Sequence, residues 1–539
     1  MATVHWPNAD RRNLIGSRIS RLDGPEKATG YARYAYDINR DGMLHAKLLQ
    51  AEPAAAKVLE VDTSAAESMP GVEAVYVVTE RRSGDLPTIT YQGDIVAAVA
   101  ARTEEIALEA LTKIKVKYGD AGDPLMNDND VSLASGRDQE KEEGDPSGAF
   151  SGADVISEGK YGIAAITHCC LEAHGQVMEF KDGELYVWPS TQSVSGYAGG
   201  ITRIAELSTD KIHVDCQYMG GGFGSKFASD AWGDIAVELC KMTNKPVKLM
   251  LERDQELMSA GNRPSAFAEV KLGLKNDGTV VAWDSTAWGS GGQQPWRMPP
   301  LPYVFTVPNY KTLGKGIVTN KGLTRAWRAP NHPHAAVITM CAMEDDAAKH
   351  SMNTIEFFKL NVANTERPEV YRRQIDKCAD MIGWKSKWHK RGDAGAGPVK
   401  RGLGMSIHTW GGQGHPSNCS LTINPDGSVV GRMGTQDLGT GTRTTTTIVV
   451  ADTLGIPMDR VRMEIGKNAY PESGASGGSS TIGGVSASTR DAATQALNAL
   501  LEKVAPELGV SVDKLEAWQG NIQEIGNPSN KMSWDDACA

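Results

Sequence analysis

Residues 220–226 read Gly-Gly-Gly-Phe-Gly-Ser-Lys, and this stretch decides how the whole chain is interpreted. Three further glycine-rich segments follow, at 411–414, 434–441 and 473–481. Because the four segments are spread from residue 220 to residue 481, no single local turn accounts for them. Glycine lets a backbone approach a ligand closely and point bare N–H groups at it, and neighbouring serines and threonines add hydroxyl donors. The pattern predicts a large, polar, phosphate-bearing cofactor.

Two of these segments run directly into predicted helices, at 442–454 and 485–504. The free N–H groups and the dipole of a helix N-terminus both favour an anionic group at such a junction. Gly441–Thr447 adds five threonines and Arg443 at the same place. A glycine segment taken alone is better explained by a structural turn. Two such junctions, both rich in hydroxyl groups, leave phosphate binding and turn formation as equal alternatives at this point.

Composition narrows the function classes. A chain of 539 residues predicts two to four domains, and its 40% hydrophobic content is ample for sizeable cores. A net charge of −10 without a basic face excludes sequence-independent nucleic-acid binding. No apolar run has the length of a membrane span, and the N-terminus lacks an apolar export signal. We therefore expect a cytoplasmic protein, with periplasmic export through a signal on a partner subunit as the alternative.

The eight cysteines are scattered, and they form neither a CxxC pair nor a His/Cys cluster with zinc spacing. The sequence therefore predicts no iron–sulfur cluster and no protein ligand to a metal in this chain.

The order of predicted strands and helices indicates an α+β protein. We predict a small α+β domain with an N-terminal arm at 1–120, an acidic linker at 121–152, a first mixed domain at 153–383 and part of a second at 399–539. Strands are expected at 211–218 and 246–253, and hairpins around the Asn-Asp-Gly and Asn-Pro-Asp-Gly turns at 276–278 and 424–427.

Several motifs together resemble the molybdenum-cofactor-binding subunit of the xanthine oxidase family, in its aldehyde-oxidoreductase-like branch. They occur in the order of that family and span 15–539. They are Arg21–Gly30, Tyr91–Asp94, Leu171-Glu172-Ala173-His174, Gln192 with Gly220–Lys226, Trp327-Arg328-Ala329-Pro330, Gly434–Arg443 and Ser473–Thr481. The resemblance implies a hammerhead domain followed by molybdenum-cofactor-binding domains of mixed sheets and helices.

The resemblance also implies a reaction. A molybdenum centre held by molybdopterin, or by its cytosine dinucleotide, would oxidise an aldehyde or an N-heterocycle with oxygen derived from water. Electrons would pass to a [2Fe–2S] subunit and an FAD subunit. The protein's share of such chemistry is binding, orientation and electrostatics.

Roles carry over from the family position by position. Gln192 would hydrogen-bond an oxygen ligand of the metal, and Arg328 would lie beside it and offer planar donors to an oxygen atom. Phe227 and His408 would line the substrate pocket. The remaining implied cofactor contacts are Gly221, Gly222, Phe223, Gly224, Gly439, Thr440, Gly441, Thr442, Ser476, Gly477, Gly478, Ser479, Ser480 and Thr481.

One family element has no match. The glutamate base of the family lies in a Gly-Glu motif near the C-terminus, and this sequence contains no equivalent. Glu172 belongs to a different element. We therefore expect the base on a second cofactor-domain chain, so that the enzyme is active only with that partner. The alternatives are a non-catalytic scaffold or cofactor carrier that has lost the base, and an unrelated nucleotide-binding enzyme. A nucleotide-binding enzyme would need a GxGxxG segment followed by an acidic residue, and the sequence contains no such segment.

Overall fold

A computed structural model describes residues 6–80, 83–120 and 122–539. Residues 1–5, 81 and 82 of the predicted N-terminal domain and residue 121 of the predicted linker lie outside this part. The N-terminal region alternates strands with short helices, and its strands belong to two sheets. Its elements are α1 (Gly24–Thr29), β1 (Leu44–Gln50), β2 (Ala56–Asp62), α2 (Ser64–Glu67), β3 (Val72–Val77), β4 (Thr88–Ile89), β5 (Ile95–Ala101), α3 (Glu104–Leu111) and β6 (Lys115–Gly119).

The middle region contains two larger sheets and two groups of helices. Its first elements are β7 (Gln139–Glu143), α4 (Pro146–Ser151), β8 (Val155–Ile163), β9 (Ile166–Thr167), β10 (Gly175–Lys181), β11 (Glu184–Pro189), α5 (Val194–Ala205), β12 (Ile212–Val214), α6 (Asp230–Thr243) and β13 (Val247–Met250). They are followed by α7 (Arg253–Ser259), β14 (Asn262–Arg263), β15 (Ala266–Leu274), β16 (Val280–Ser290), β17 (Tyr310–Ile317), α8 (His332–Lys349), α9 (Thr354–Asn361), α10 (Pro368–Ile382) and α11 (Trp384–Lys387).

The last region packs helices against two three-stranded sheets. Its elements are β18 (Ser420–Ile423), β19 (Val429–Met433), α12 (Thr442–Leu454), β20 (Val461–Ile465), α13 (Thr481–Leu508), β21 (Leu515–Trp518), β22 (Asn521–Glu524), β23 (Asn527–Ser533) and α14 (Trp534–Cys538). Val450 and Leu454 of α12 and Leu501 of α13 belong to one buried apolar cluster, which holds the two helices together.

The N-terminal and middle regions share one sheet. It has seven strands in the order β12-β11-β10-β13-β1-β5-β3, and β1 pairs with β13 in parallel, Leu44 opposite Val247. One apolar core runs across it from Leu48 of β1 to Ile201 of α5 and Leu239 of α6. The predicted α+β class is confirmed. This core contains residues from both sides of the boundary predicted near residue 120, while two smaller apolar clusters lie wholly on its N-terminal side.

A five-stranded sheet, in the order β7-β17-β16-β15-β8, forms the second half of the middle region. The hairpin predicted around 276–278 is present as β15 and β16. Its turn contains Gly278 at φ +91°. Strand β7 lies inside the stretch predicted to be a linker. Its Glu140 and Glu142 form ion pairs with Lys311 of β17, so the acidic, polar composition is that of an exposed edge strand.

Two predicted strands are shorter than expected. The strand expected at 211–218 ends at Val214, and the one expected at 246–253 ends at Met250, after which α7 begins at Arg253. After Val214 the chain leaves the seven-stranded sheet and runs into the first glycine-rich loop, whereas after Met250 it turns into α7. Among the described helices, none combines the length and the apolar character needed to cross a bilayer.

Candidate functional site

Gln192 lies where widely separated glycine-rich loops meet. Its side-chain Oε1 accepts hydrogen bonds from the backbone N–H groups of Gly224, at 2.9 Å, and Lys226, at 3.2 Å. Its Nε2 donates to the carbonyl oxygen of Ser476 at 2.8 Å. The side chain is 2% exposed, so these bonds are shielded from water. One buried amide thus joins the first loop, 220–226, to the fourth, 473–481.

Gln436 brings the third loop, 434–441, to the same point. Its Nε2 donates to the backbone oxygen of Gln192 at 2.9 Å and to Ser476 Oγ at 2.6 Å, and its Oε1 accepts from the N–H of Val194 at 3.0 Å. The N–H of Ser476 also donates to the backbone oxygen of Gln192, at 2.8 Å. Three of the four loops therefore form one continuous surface, which we call the loop cradle (220–226, 434–442 and 473–481).

Glu172 fixes the first loop from beneath. Its Oε2 accepts from the N–H of Gly220 at 2.7 Å and from Ser190 Oγ at 2.6 Å, while its Oε1 accepts from the N–H of Ala35 at 3.0 Å. The fully buried Lys226 donates from Nζ to the backbone oxygen of Glu172 at 2.8 Å. All these bonds tie down backbone and neighbouring side chains, so Glu172 positions the loop and the N-terminal domain.

His174 of the same motif also supports the loop. Its Nδ1 lies 2.9 Å from Glu256 Oε2, and its Nε2 lies 3.2 Å from the backbone oxygen of Ser225. Burial lowers the pKa of His174. The histidine is enclosed beneath the loop and takes no part in its open face.

The open face of the first loop carries Phe223. This residue adopts a left-handed conformation, φ +55°, and its side chain is 50% exposed. Its carbonyl oxygen accepts from the N–H of Arg328 at 2.8 Å, which places the Arg328 loop directly on the first glycine loop. A Cβ atom on Gly222 would overlap the side-chain oxygen of Gln192, so only glycine fits there. The structure thus brings Gln192, Gly222, Phe223 and Arg328 together.

Asp437 shapes the third loop. Its Oδ1 accepts from the N–H groups of Gly439, at 2.8 Å, and Gly441, at 3.1 Å. These two amides therefore point inward, and the glycines contribute the turn into α12. Across the described residues, the buried Oγ1 of Thr442 and the buried Nη1 of Arg443 have no hydrogen-bond partner. Such unpaired buried groups at a helix N-terminus fit an oxygen-rich anionic ligand.

The fourth loop turns sharply before α13. Gly478 and Ser479 have positive φ, and Ser480 donates to the carbonyl oxygen of Gly477 through both its N–H and its Oγ. Trp410 Nε1 donates to Ser479 Oγ at 2.9 Å. Helix α13 begins at Thr481, four residues before the predicted start. The helix N-terminus is thereby placed on the loop cradle itself.

The two predicted pocket residues lie apart. Phe227 is half-buried beneath the fourth loop, where a Cβ atom on Gly477 would meet its ring at 2.5 Å. His408 is exposed and lines a separate cavity of about 500 Å³ between α10 and the segment before Trp410. Phe227 therefore belongs to the loop cradle, whereas His408 is not brought together with Arg328.

Sequence reasoning missed several residues that hold the site together. Trp410 packs edge-on against His332, with ring centroids 4.8 Å apart, and His332 lies on the Arg328 side of the site. Gln436 and Asp437 lie inside the glycine-rich segment at 434–441. The signal that could have found them is an amide or carboxylate within a glycine-rich turn, where it satisfies backbone amides.

Comparison with known families matches this architecture over most of the chain. The model described as aldehyde oxidase and xanthine dehydrogenase, a/b hammerhead domain, matches residues 29–121. Two models described as molybdopterin cofactor-binding domains match residues 128–362 and 377–539. The chain belongs to the xanthine oxidase family. It is a molybdopterin-binding subunit of aldehyde-oxidoreductase type.

Curated members of the xanthine oxidase family show what the chain is similar to. It is 25% identical over 504 residues to the aldehyde oxidoreductase molybdenum-binding subunit PaoC of Escherichia coli K12, covering 87% of this chain and 68% of PaoC. It is 26% identical over 489 residues to aldehyde oxidase 2 of Rattus norvegicus, covering 82% of this chain and 36% of that protein. The chain thus spans about two thirds of one relative and about a third of the other.

Solved structures of the family share the fold. Quinoline 2-oxidoreductase from Pseudomonas putida 86 superposes with a TM-score of 0.84 at 19% identity, covering 98% of this chain and 76% of that one. Aldehyde oxidoreductase from Desulfovibrio gigas superposes with a TM-score of 0.75 at 23% identity, covering 92% and 60%. At these identities the likeness concerns the fold alone.

Proposed function

We propose that this chain holds a molybdenum-bearing molybdopterin in the loop cradle and serves as the molybdenum subunit of a hydroxylase that oxidises an aldehyde or an N-heterocycle. The observation that carries the proposal is the junction at Gln192, where loops from residues 220–226, 434–442 and 473–481 share one set of buried hydrogen bonds. A single ligand can therefore touch all three loops at once.

Different residues of the loop cradle would bind different parts of the cofactor. Thr442 Oγ1 and Arg443 Nη1, at the start of α12, would hold the phosphate oxygens of the pterin, as would the start of α13 at Ser480 and Thr481. One N–H of Gln192 Nε2 is used by Ser476, and the other would donate to an oxygen of the metal group.

When bound, the molybdenum group supplies oxygen transfer and accepts two electrons from the substrate. This chain's residues would orient the reactants. Arg328 is exposed beside Phe223 and would present its planar guanidinium to the oxygen atom of the substrate or of the metal group. The half-exposed Phe223 would exclude water from that face.

We infer that the base comes from outside the described residues, on a second cofactor-domain chain. The two carboxylates closest to the loops in the hydrogen-bond network, Glu172 and Asp437, both bind backbone N–H groups of the loops. Both carboxylates therefore hold the backbone of the loops in place. The chain would further work with a [2Fe–2S] subunit and an FAD subunit.

Native purification tests the proposal. The complex is isolated under mild conditions, its metals are measured by inductively coupled plasma mass spectrometry, and every co-purifying chain is identified. We expect about one molybdenum per copy of this chain, with iron and flavin on separate chains. A folded complex without molybdenum would instead support a non-catalytic scaffold, and bound NAD or FAD in this chain would contradict the assignment.

A further inference from the structure

Residues 402–410, Gly-Leu-Gly-Met-Ser-Ile-His-Thr-Trp, form an extended segment with which no strand of the described residues pairs. The stretch 399–416 around it contains neither helix nor turn. Burial alternates along the segment with the period of a β-strand. The side chains that face the protein are those of Leu403, Met405, Ile407 and Thr409. Ile407 is 5% exposed and belongs to the apolar core of the middle region, so the segment has the form of an edge strand.

The two edges of this segment differ, because the N–H and C=O groups of alternate residues in a strand point to opposite edges. The N–H of Met405 donates to Glu344 Oε1 at 3.1 Å. The N–H of Thr409 donates to the hydroxyl of Tyr303 at 3.0 Å, and its carbonyl accepts from the same hydroxyl at 2.7 Å. In the part of the chain that the structure describes, no hydrogen bond involves the backbone groups of the opposite edge, which we call the free edge. These groups belong to Gly404, Ser406, His408 and Trp410.

The free edge lacks the usual protection of an exposed strand. Natural proteins blunt such edges with charged side chains or with proline. Between residues 402 and 410 the sequence has neither a charged residue nor a proline. A neutral edge backed by apolar side chains is a template for another strand, so a partner that covers it is expected.

A groove lies beside the free edge, and it is the cavity of about 500 Å³ that His408 lines. Residues 404–408 form one wall. Helix α10 forms the other, with Ile375, Ala379 and Ile382 among its apolar side chains. Ile382 is 42% exposed. A strand added here would pair with the free edge and place alternate side chains on the apolar surface of α10.

The far end of the segment lies on the loop cradle. Trp410 Nε1 donates to Ser479 Oγ at 2.9 Å, and the N–H of His415 donates to the carbonyl oxygen of Ser480 at 3.1 Å. A strand bound along the free edge would therefore run between α10 and the fourth loop. A second chain that brings a base to the cradle has to reach the same loop.

We propose that the free edge and its groove bind a β-strand of the second cofactor-domain chain. The inference rests on the proposed function, because it names the docking surface of the chain inferred there. Quinoline 2-oxidoreductase supports such an occupant, since the superposition covers 76% of that chain and leaves about a quarter of it without a counterpart here. A second copy of this chain fits less well. The free edge of each copy is faced by its own α10, so neither copy can enter the groove of the other without displacing that helix.

Hydrogen exchange at single-amide resolution tests the docking surface in the native complex. We expect the amides of Gly404, Ser406 and His408 to exchange roughly a hundredfold more slowly than those of Gly395 and Gly397, which lie in the exposed loop before the segment. Fast exchange at all three positions would overturn the proposal, because a paired strand accepts a hydrogen bond from each of these amides.

Alkylation of two exposed thiols by N-ethylmaleimide reports on the groove. Cys378 lines the groove, whereas Cys341 lies on α8 outside it. We expect Cys378 to react about tenfold more slowly than Cys341 in the native complex. Burial raises the pKa of Cys341, which slows Cys341 and so works against the expected order. Equal rates, or faster reaction at Cys378, would show an open groove and overturn the proposal.

Ser406→Pro removes one N–H from the free edge, and Ser406→Ala, the matched control, retains it. We expect Ser406→Pro to lower the amount of co-purifying second cofactor-domain chain about tenfold, and Ser406→Ala to change it less than about twofold. Retention of that chain by Ser406→Pro would overturn the proposal. Selective loss of the [2Fe–2S] chain or of a second copy of this chain would overturn it as well, since the occupant would then be a different one. If Ser406→Pro does not fold, exchange and alkylation in the unaltered complex decide.

Failure of this proposal and failure of the proposed function give different results. A complex without molybdenum in which the amides of Gly404, Ser406 and His408 are protected would contradict the function and support the docking surface. A complex that contains molybdenum but exchanges fast at these amides would contradict the docking surface alone. A native complex without a second cofactor-domain chain overturns the docking proposal whatever its molybdenum content.

Discussion

Gly224 lies directly against the carbonyl oxygen of Ala326, so that a Cβ atom at position 224 would overlap this oxygen. The contact joins the first glycine loop to the segment that carries Arg328, and the bond from the N–H of Arg328 to the oxygen of Phe223 lies beside it. Gly224 also has φ +116°, which disfavours any other residue. The two loops can therefore close on each other only where the side chain is absent.

We expect Gly224→Ala to destabilise the protein by at least about 3 kcal/mol, since backbone strain and overlap with a rigid carbonyl add. Gly439→Ala is the matched control, because Gly439 also has a positive φ, +95°, but a Cβ atom there would meet nothing within 4 Å. Its cost should be about 1 kcal/mol. Thermal unfolding midpoints of the two variants measure the difference. Equal costs would show that the loops do not depend on this contact.

Gln192→Glu should separate the two halves of the loop cradle. The remaining oxygen can still accept from the N–H groups of Gly224 and Lys226, but the second oxygen would face the carbonyl of Ser476 and repel it. Two buried oxygen atoms that face each other with no hydrogen between them lower the stability by about 1–3 kcal/mol. Hydrogen exchange should therefore become faster in 473–480 and change little in 220–226.

Gln374→Glu, on the exposed side of α10, is the control for the change in charge. We expect it to leave exchange in both loops and the molybdenum content unchanged, whereas Gln192→Glu should lower the molybdenum content severalfold. Unchanged exchange at 473–480 in Gln192→Glu would contradict the role assigned to this amide.

Phe227 and Gly477 should show strong energetic coupling. Gly477→Ala would place a methyl group 2.5 Å from the ring of Phe227, and such overpacking costs about 1–3 kcal/mol. Phe227→Leu removes that ring atom, so the double variant should recover much of the loss. A double-mutant cycle on unfolding free energies gives the coupling, and we expect about 1 kcal/mol or more. Additive costs would place the ring elsewhere.

Local sequence patterns predict a helix well where residues at its own ends determine its bounds. The predicted helix at 442–454 has the bounds observed for α12, because Gly441 and Gly455 both adopt positive φ and mark its two ends. Helix α13 was predicted to begin too late. Its first turn contains Gly483 and Gly484, which suggest a loop in isolation, but Gly484 packs against the backbone of His415 and is accepted in the helix for that reason.

The site itself depended on contacts that no local pattern contains. The bonds of Gln192 reach Ser476 and Gln436, which follow it by more than two hundred positions, and only the resemblance to the family indicated that these segments meet. The sequence predicts a linker where β7 lies, because its charged side chains suggest a solvated segment in isolation. The ion pairs of Glu140 and Glu142 with Lys311 of β17 exist only once the sheet has formed. Two side-chain nitrogens of the buried Arg263 have no partner among the described residues, and such an unpaired cation is visible only once its neighbours are placed.

Arg328→Ala should leave the molybdenum content unchanged and lower turnover roughly 10²-fold, because a planar donor beside the reacting oxygen would be lost. The molybdenum content should persist because the backbone N–H and carbonyl of Arg328, which alanine retains, make its hydrogen bonds to Phe223 and Arg263. Arg328→Lys keeps the charge but not the fork and should recover only part of the rate. Unchanged turnover in Arg328→Ala would remove this residue from the active site.

Asp346 makes the stability of the middle region depend on pH. It is fully buried on α8, and burial raises its pKa to about 6. Since the folded form then binds a proton that the unfolded chain has released, stability should fall as pH rises from the ordinary aspartate pKa, about 4, through 6. The loss at pH 8 amounts to at most about 3 kcal/mol. Asp346→Asn should therefore raise the unfolding free energy at pH 8 and change it little at pH 4. Parallel pH profiles of the two proteins, measured by urea unfolding, would show that Asp346 is not the group responsible.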